Sequence, residues 1–141
     1  MKRLLIAAII MAVFIAGCGK KEVKKVSEDS RIATEAFALA ETIRAAYANR
    51  DLSAIEKNST REGARAIIGG MKAFDSVDLT FNPAWVEIDG DTIHMNVSWK
   101  GTWKKGGKIT EERGMAIFIL KGSPMEVDNV VRANPFRYPP D

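Results

Sequence analysis

The stretch 86–120, "VEIDGDTIHMNVSWKGTWKKGGKITEERGMAIFIL", decides the fold. Ile93, Met95, Val97 and Trp99 fall at every second position, with His94, Asn96, Ser98 and Lys100 between them. A period of two belongs to a strand whose side chains point alternately to either face. Asp89-Gly90 is a two-residue hairpin signal, and Gly106-Gly107 is a second. If Gly106-Gly107 is a two-residue loop, its register is fixed. Met95 then opposes Phe118, Val97 opposes Ala116, and Trp99 opposes Gly114. Large faces small, and the indole covers a glycine that would otherwise expose backbone. On the other face Lys100 opposes Arg113, and Met115, Ile117 and Ile119 make that face partly apolar. An antiparallel sheet with one wet face has no need of this. Part of the second face is therefore expected to be covered, a second copy of the protein being the partner that suggests itself.

The pattern extends in both directions. Val77, Leu79 and Phe81 alternate with Asp78 and Thr80, and Asn82-Pro83 interrupts them, as at an edge strand or a bulge. The strand resumes over 84–88. The next is expected over 91–104, a third over 108–121 and a fourth over about 125–133. Upstream the period becomes helical. Ile32, Ala36, Leu39, Ala40, Ile43 and Tyr47 form one apolar stripe, with Ser27 or Ser30 as the cap. Asn49 to Asp51 stops this helix, and Asp51 can cap a short second one. Ser59 with Glu62 reads as a capping box for a third helix over about 60–68, ending at Gly69-Gly70. "MKAFDS" (71–76) is placed as a further turn. The expected fold class is α+β: N-terminal helices packed on the concave face of a bent antiparallel sheet of about four strands.

The first residues have another logic. Lys2 and Arg3 precede an unbroken apolar run from Leu4 to Ala16, 13 residues long. A membrane-spanning helix needs about 20, so the run has the length of a signal-peptide core. "IAGC" then resembles the bacterial lipobox, with Ile15, Ala16 and Gly17 ahead of Cys18, the chain's one cysteine. The resemblance implies cleavage between Gly17 and Cys18 and acylation of the Cys18 thiol by a diacylglycerol, with a further acyl chain (such as palmitate) on the new amino group. Two or three acyl chains anchor firmly where one does so only marginally. Gly19 in place of aspartate implies the periplasmic face of the outer membrane, where the host has one. The expected organisation is a signal peptide over 1–17, the lipidated cysteine and a charged tether over 18–29, and one domain over 30–141.

Removing the leader changes the charge reading. The formal net charge is +3, from 21 basic and 18 acidic residues. Lys2 and Arg3 leave with the leader, and 19 basic then face 18 acidic residues. No clustered patch calls for nucleic acid. One cysteine and one histidine supply neither an internal disulfide nor a Cys/His metal site, and no cofactor or metal is expected.

The order of elements resembles the nuclear transport factor 2-like superfamily (a cystatin-like α+β cone). The residues that carry it are "AETIRAAYANRDLSAIEKNS" (40–59), "VEIDGDTIHMNVSWKGTW" (86–103) and the closing "VVRANPF" (130–136). The resemblance implies a pocket between sheet and helices, frequent dimers through the outer sheet face, and diverse functions, so it does not fix an activity. Tyr47, Trp85, Trp99, Trp103 and Glu112 are the candidate pocket residues, and His94 is expected on the opposite face. No set of residues for nucleophilic catalysis is present, and no catalytic residue is assigned. The expected function is a membrane-anchored envelope lipoprotein whose non-catalytic domain binds a partner protein or a small apolar ligand. The alternative is a small acid–base enzyme of isomerase or dehydratase type, with Glu112 as base and Tyr47 as hydrogen-bond donor.

Overall fold

The computed structural model describes residues 27–141. The leader, the motif ending at Cys18 and the tether up to residue 26 lie outside the described residues. The chain is α+β: helices come first, followed by an open four-stranded antiparallel sheet.

Helix α1 spans Glu28–Asn49. Ser27 caps it, its hydroxyl accepting from the Ser30 amide at 3.2 Å, and Glu28 and Asp29 sit at the positive end of the helix dipole. The helix therefore takes in two residues expected in the tether. Its buried face is the apolar stripe, from Ala36 through Leu39, Ala40 and Ile43 to Tyr47. Arg50 ends it in the left-handed region, φ 54°. Asp51 caps α2 (Leu52–Lys57) by accepting from the Ala54 amide at 3.0 Å.

Helix α3 spans Arg61–Ile68 and is capped by Thr60 rather than Ser59. The reason is tertiary. The Thr60 amide donates to the Val127 carbonyl and the Val127 amide to that of Asn58, so residues 58–60 run beside Val127 as a short parallel bridge. Ser59 is buried by this pairing, and the Thr60 hydroxyl receives the Gly63 amide at 3.1 Å instead. The helix then packs so closely that a Cβ on Gly63 would lie 1.8 Å from the Val127 carbonyl oxygen. The expected turn over 71–76 does not form. Asp75 is drawn to the second hairpin, its amide donating to the Lys104 carbonyl at 2.7 Å and its carboxylate accepting from Gly106 at 2.8 Å.

The sheet has the order β1 (Ser76–Asp89), β2 (Thr92–Lys105), β3 (Lys108–Lys121) and β4 (Glu126–Arg132). The second hairpin has the register derived from its glycines: Met95 opposes Phe118, Val97 opposes Ala116, Trp99 opposes Gly114 and Lys100 opposes Arg113. Gly106 and Gly107 both take positive φ, 55° and 80°, as a type I′ turn requires. A Cβ on Gly114 would meet the Trp99 ring at 2.8 Å, so the indole does lie over that glycine. The first hairpin differs by a step. Asp89 pairs with Thr92, and the loop is Gly90-Asp91, with Gly90 at φ 62°. This register sets Ile88 against Ile93 and Val86 against Met95. A loop at Asp89-Gly90 would have set Ile88 against Asp91. Strand β1 slips at a bulge between Pro83 and Trp85, where the proline cannot donate to the ladder.

The helices and the inner sheet face enclose one core, with Ile43, Ile55, Ile67, Leu79, Val97 and Phe118 among its buried members. No helix among the described residues is long and apolar enough to cross a membrane.

Candidate functional site

The inner face of the sheet is where the cone's pocket was expected, and aromatic side chains fill it. Tyr47 comes from the last turn of α1, and Trp99 and Trp103 from β2. Phe136 and Tyr138 come from the closing segment, which includes the short 3-10 turn Pro135–Arg137. Tyr47 and Phe136 are fully buried, and each tryptophan is 1% exposed. Their rings meet edge-on or tilted at centroid distances of 5.0 Å for Tyr47–Phe136, 5.2 Å for Trp99–Tyr138 and 6.1 Å for Trp99–Trp103, the arrangements aromatic quadrupoles favour.

The polar side-chain atoms of Tyr47, Trp99 and Trp103 are satisfied internally. The Trp103 indole N–H donates to the Tyr47 hydroxyl at 2.9 Å. The Tyr47 hydroxyl donates to the Tyr138 carbonyl at 3.1 Å, and the Trp99 N–H donates to the Ala133 carbonyl at 2.7 Å. Burial pushes the Tyr47 phenol up to about 12, against the opposing effects of the Trp103 hydrogen bond and the nearby Arg50 charge. Its donor is committed to a backbone carbonyl.

Glu112 opposes Gly101 and is half-buried. It lines a surface depression with Lys100, Glu111 and Arg113, and its carboxylate is not among the partners of the Tyr47 hydroxyl. The Trp103 ring folds over Gly101, where an added Cβ would lie 2.4 Å from the indole. The base and donor of the acid–base alternative are therefore not brought together. Sequence reasoning missed the closing role of Tyr138. The aromatic and proline run "NPFRYPP" was its signal, but 91 positions separate Tyr138 from Tyr47.

The outer face carries the remaining candidates. Register places Trp85, Asn96, Ile117 and Val131 in one row across the four strands. Glu87, His94, Ile119 and Asn129 form the row on one side, and Asn82, Ser98 and Met115 the row on the other. Trp85 is 47% exposed and Met115 50%. Between them Asn96 is only 6% exposed, and its Oδ1 is buried with no hydrogen-bond partner. Trp85 is thus a half-exposed surface residue rather than part of the interior cluster, and it lines a groove with Ser30, Ala33, Thr34 and Phe37 of α1. His94 is on this face too, half-buried.

A separate open cavity of about 430 Å³ lies along α2 and α3, lined by Glu56, Ser59, Arg61, Arg65 and Ile68 among others. Beside it, the Asp128 carboxylate accepts from the Thr60 hydroxyl and from Lys121 Nζ, each at 2.9 Å. Those bonds, the one from Lys121 first, hold the Asp128 carboxyl below the usual carboxylate range. Among the described residues no group of three or more His, Cys, Asp or Glu could hold a metal ion. No protein-family model matches the chain, and no curated protein does.

Proposed function

We propose that this chain is a lipid-anchored protein of the cell envelope, held by an acylated Cys18, whose domain binds a partner protein through the outer face of its sheet. The anchor rests on the lipobox-like Ile15 to Cys18 behind a short apolar run. By the same resemblance, its place is the periplasmic face of the outer membrane in a host that has one. The partner reading rests on one observation: half-exposed Trp85 and Met115, with partly buried Ile117, Ile119 and Val131 near them, on a surface whose Trp85 end borders the first turns of α1. Surface patches of this kind mark interaction sites. The filled interior favours a protein partner over a small apolar ligand, because the space between helices and sheet is taken by Tyr47, Trp99, Trp103, Phe136 and Tyr138. It also disfavours acid–base catalysis, because the Tyr47 hydroxyl is engaged at both donor and acceptor. The domain order remains compatible with a nuclear transport factor 2-like cone.

Two measurements test this. A Cys18→Ser variant is expected to lose lipid labelling and to accumulate as unprocessed precursor; normal processing of that variant would end the anchor assignment. Crosslinking of the lipidated protein in intact cells, followed by mass spectrometry, is expected to return adducts through Trp85 and Met115. Adducts confined to other surfaces would end the partner assignment.

A further inference from the structure

We propose that the open cavity along α2 and α3 binds a small monocarboxylate with an apolar body, its carboxylate held at the Ser59–Arg61 end. The site is separate from the filled interior and from the outer sheet face, so the inference stands without the partner reading above.

The first observation is Ser59. Local chemistry makes it a cap for α3, but pairing of residues 58–60 with Val127 draws it inward, and Thr60 caps instead. The Thr60 hydroxyl is then fully used, receiving the Gly63 amide and donating to the Asp128 carboxylate. Ser59 is left in the cavity wall, 6% exposed, and its Oγ is buried with no hydrogen-bond partner. A buried hydroxyl that makes no hydrogen bond weakens a fold, so a methyl in its place would serve the domain at least as well. A serine hydroxyl reorients by a single χ1 rotation. A ligand oxygen seated against this wall can therefore supply the missing partner.

The second observation is the α3 side of the cavity. Arg61, Ala64, Arg65 and Ile68 are spaced three and four apart, share one helix face, and all line the cavity. Ala64 and Ile68 are half-buried and form an apolar floor. From Arg61 to Ile68 the floor is about 10 Å long at the helical rise. The volume of about 430 Å³ suits a small ligand,. Arg65 is occupied by Glu62 at 2.8 Å. Arg61 is exposed and makes no ion pair among the described residues. It begins an eight-residue helix, whose first amides lack intrahelical partners and whose dipole favours negative charge there. A free guanidinium and an unpartnered hydroxyl thus meet at one end of an apolar floor. That end suits a carboxylate, and the floor suits an apolar body. Glu56 is the one acid among the lining residues. It opposes a second negative charge, which limits the ligand to one carboxylate.

The probe is 3-phenylpropanoate, with 2-phenylethylammonium as its counterpart of opposite charge, each added to the full-length chain in detergent and followed by methyl NMR. The acid is expected to shift the Ala64 and Ile68 methyl signals to saturation, and the amine to leave them in place. Arg61→Gln is expected to raise Kd about tenfold. Ser59→Ala is expected to raise it about fivefold, with a melting temperature equal to the wild type or higher, since no hydrogen bond within the protein is lost. The same variant in the same detergent controls for uptake of the probe into micelles. Glu56→Gln is expected to lower Kd about twofold. No saturable shift at those methyls, an equal response to acid and amine, or a Ser59→Ala chain that binds as the wild type does would each overturn the site. A Ser59→Ala chain that melts well below the wild type would overturn it too, because the hydroxyl would then serve the fold. Weaker binding by Glu56→Gln would overturn the choice of a carboxylate.

Discussion

At the scale of single residues, the Tyr47 hydroxyl is the joint of the interior. It accepts from Trp103 and donates to Tyr138, so it ties α1 to β2 and to the closing segment. Tyr47→Phe keeps the ring and its edge contacts with Phe74 and Phe136 but leaves a buried indole N–H without an acceptor. The expected loss is about 1–3 kcal/mol, read as a lower urea midpoint with an unchanged slope. The position of Tyr47 on the apolar stripe was legible from helical spacing. Its bonding was not, because both partners lie far along the chain. The same division applies to Trp99, whose cover over Gly114 followed from the hairpin register. The acceptor for its N–H, the Ala133 carbonyl, had no local signal. Asn96 was legible as an outer-face residue, while its pairing with Trp85 follows from a bulge in β1.

At the scale of elements, local chemistry predicted well where it acts alone and less well where a distant strand competes. The Gly106-Gly107 hairpin folds as its residues dictate. The start of α3 does not: Ser59 and Glu62 form a good capping pattern, but pairing with Val127 takes Ser59 inward and leaves Thr60 to cap. Asp75 likewise leaves the expected turn to bond the second hairpin. The Thr60–Asp128–Lys121 set joins α3 to both β3 and β4 and gives a pH-dependent prediction. The folded-state pKa of Asp128 is lowered. Its contribution to stability is therefore present above the unfolded carboxylate range and lost as pH falls through the folded value. Asp128→Asn is expected to cost about 1 kcal/mol at neutral pH. As pH falls below the unfolded carboxylate range, the melting temperature of the wild type is expected to fall more steeply than that of the variant, until the two curves converge below the folded value. Parallel curves would mean that Asp128 contributes through its shape alone.

At the scale of the whole molecule, helices gather on one face of the sheet and the closing segment seals one side of the core. Phe136 is fully buried, and Asn134 fixes the approach to it, donating to the Ala66 carbonyl at 2.8 Å and accepting from the Phe136 amide at 2.9 Å. Removing everything after Ala133 is expected to cost about 4 kcal/mol or more, since losing one buried phenylalanine alone costs about 3–5. That is a large share of the stability of a domain this size. Red-shifted tryptophan emission and a lost cooperative melt are the expected readouts; native-like emission would show that the aromatic interior closes by itself. The consequence reaches into how the protein is made. A ribosome that has finished the helices and all four strands has not yet supplied the residues that seal them. Until Phe136 and Tyr138 emerge, Trp99 and Trp103 lack the ring that packs on both of them, and Tyr47 lacks one of its two aromatic neighbours.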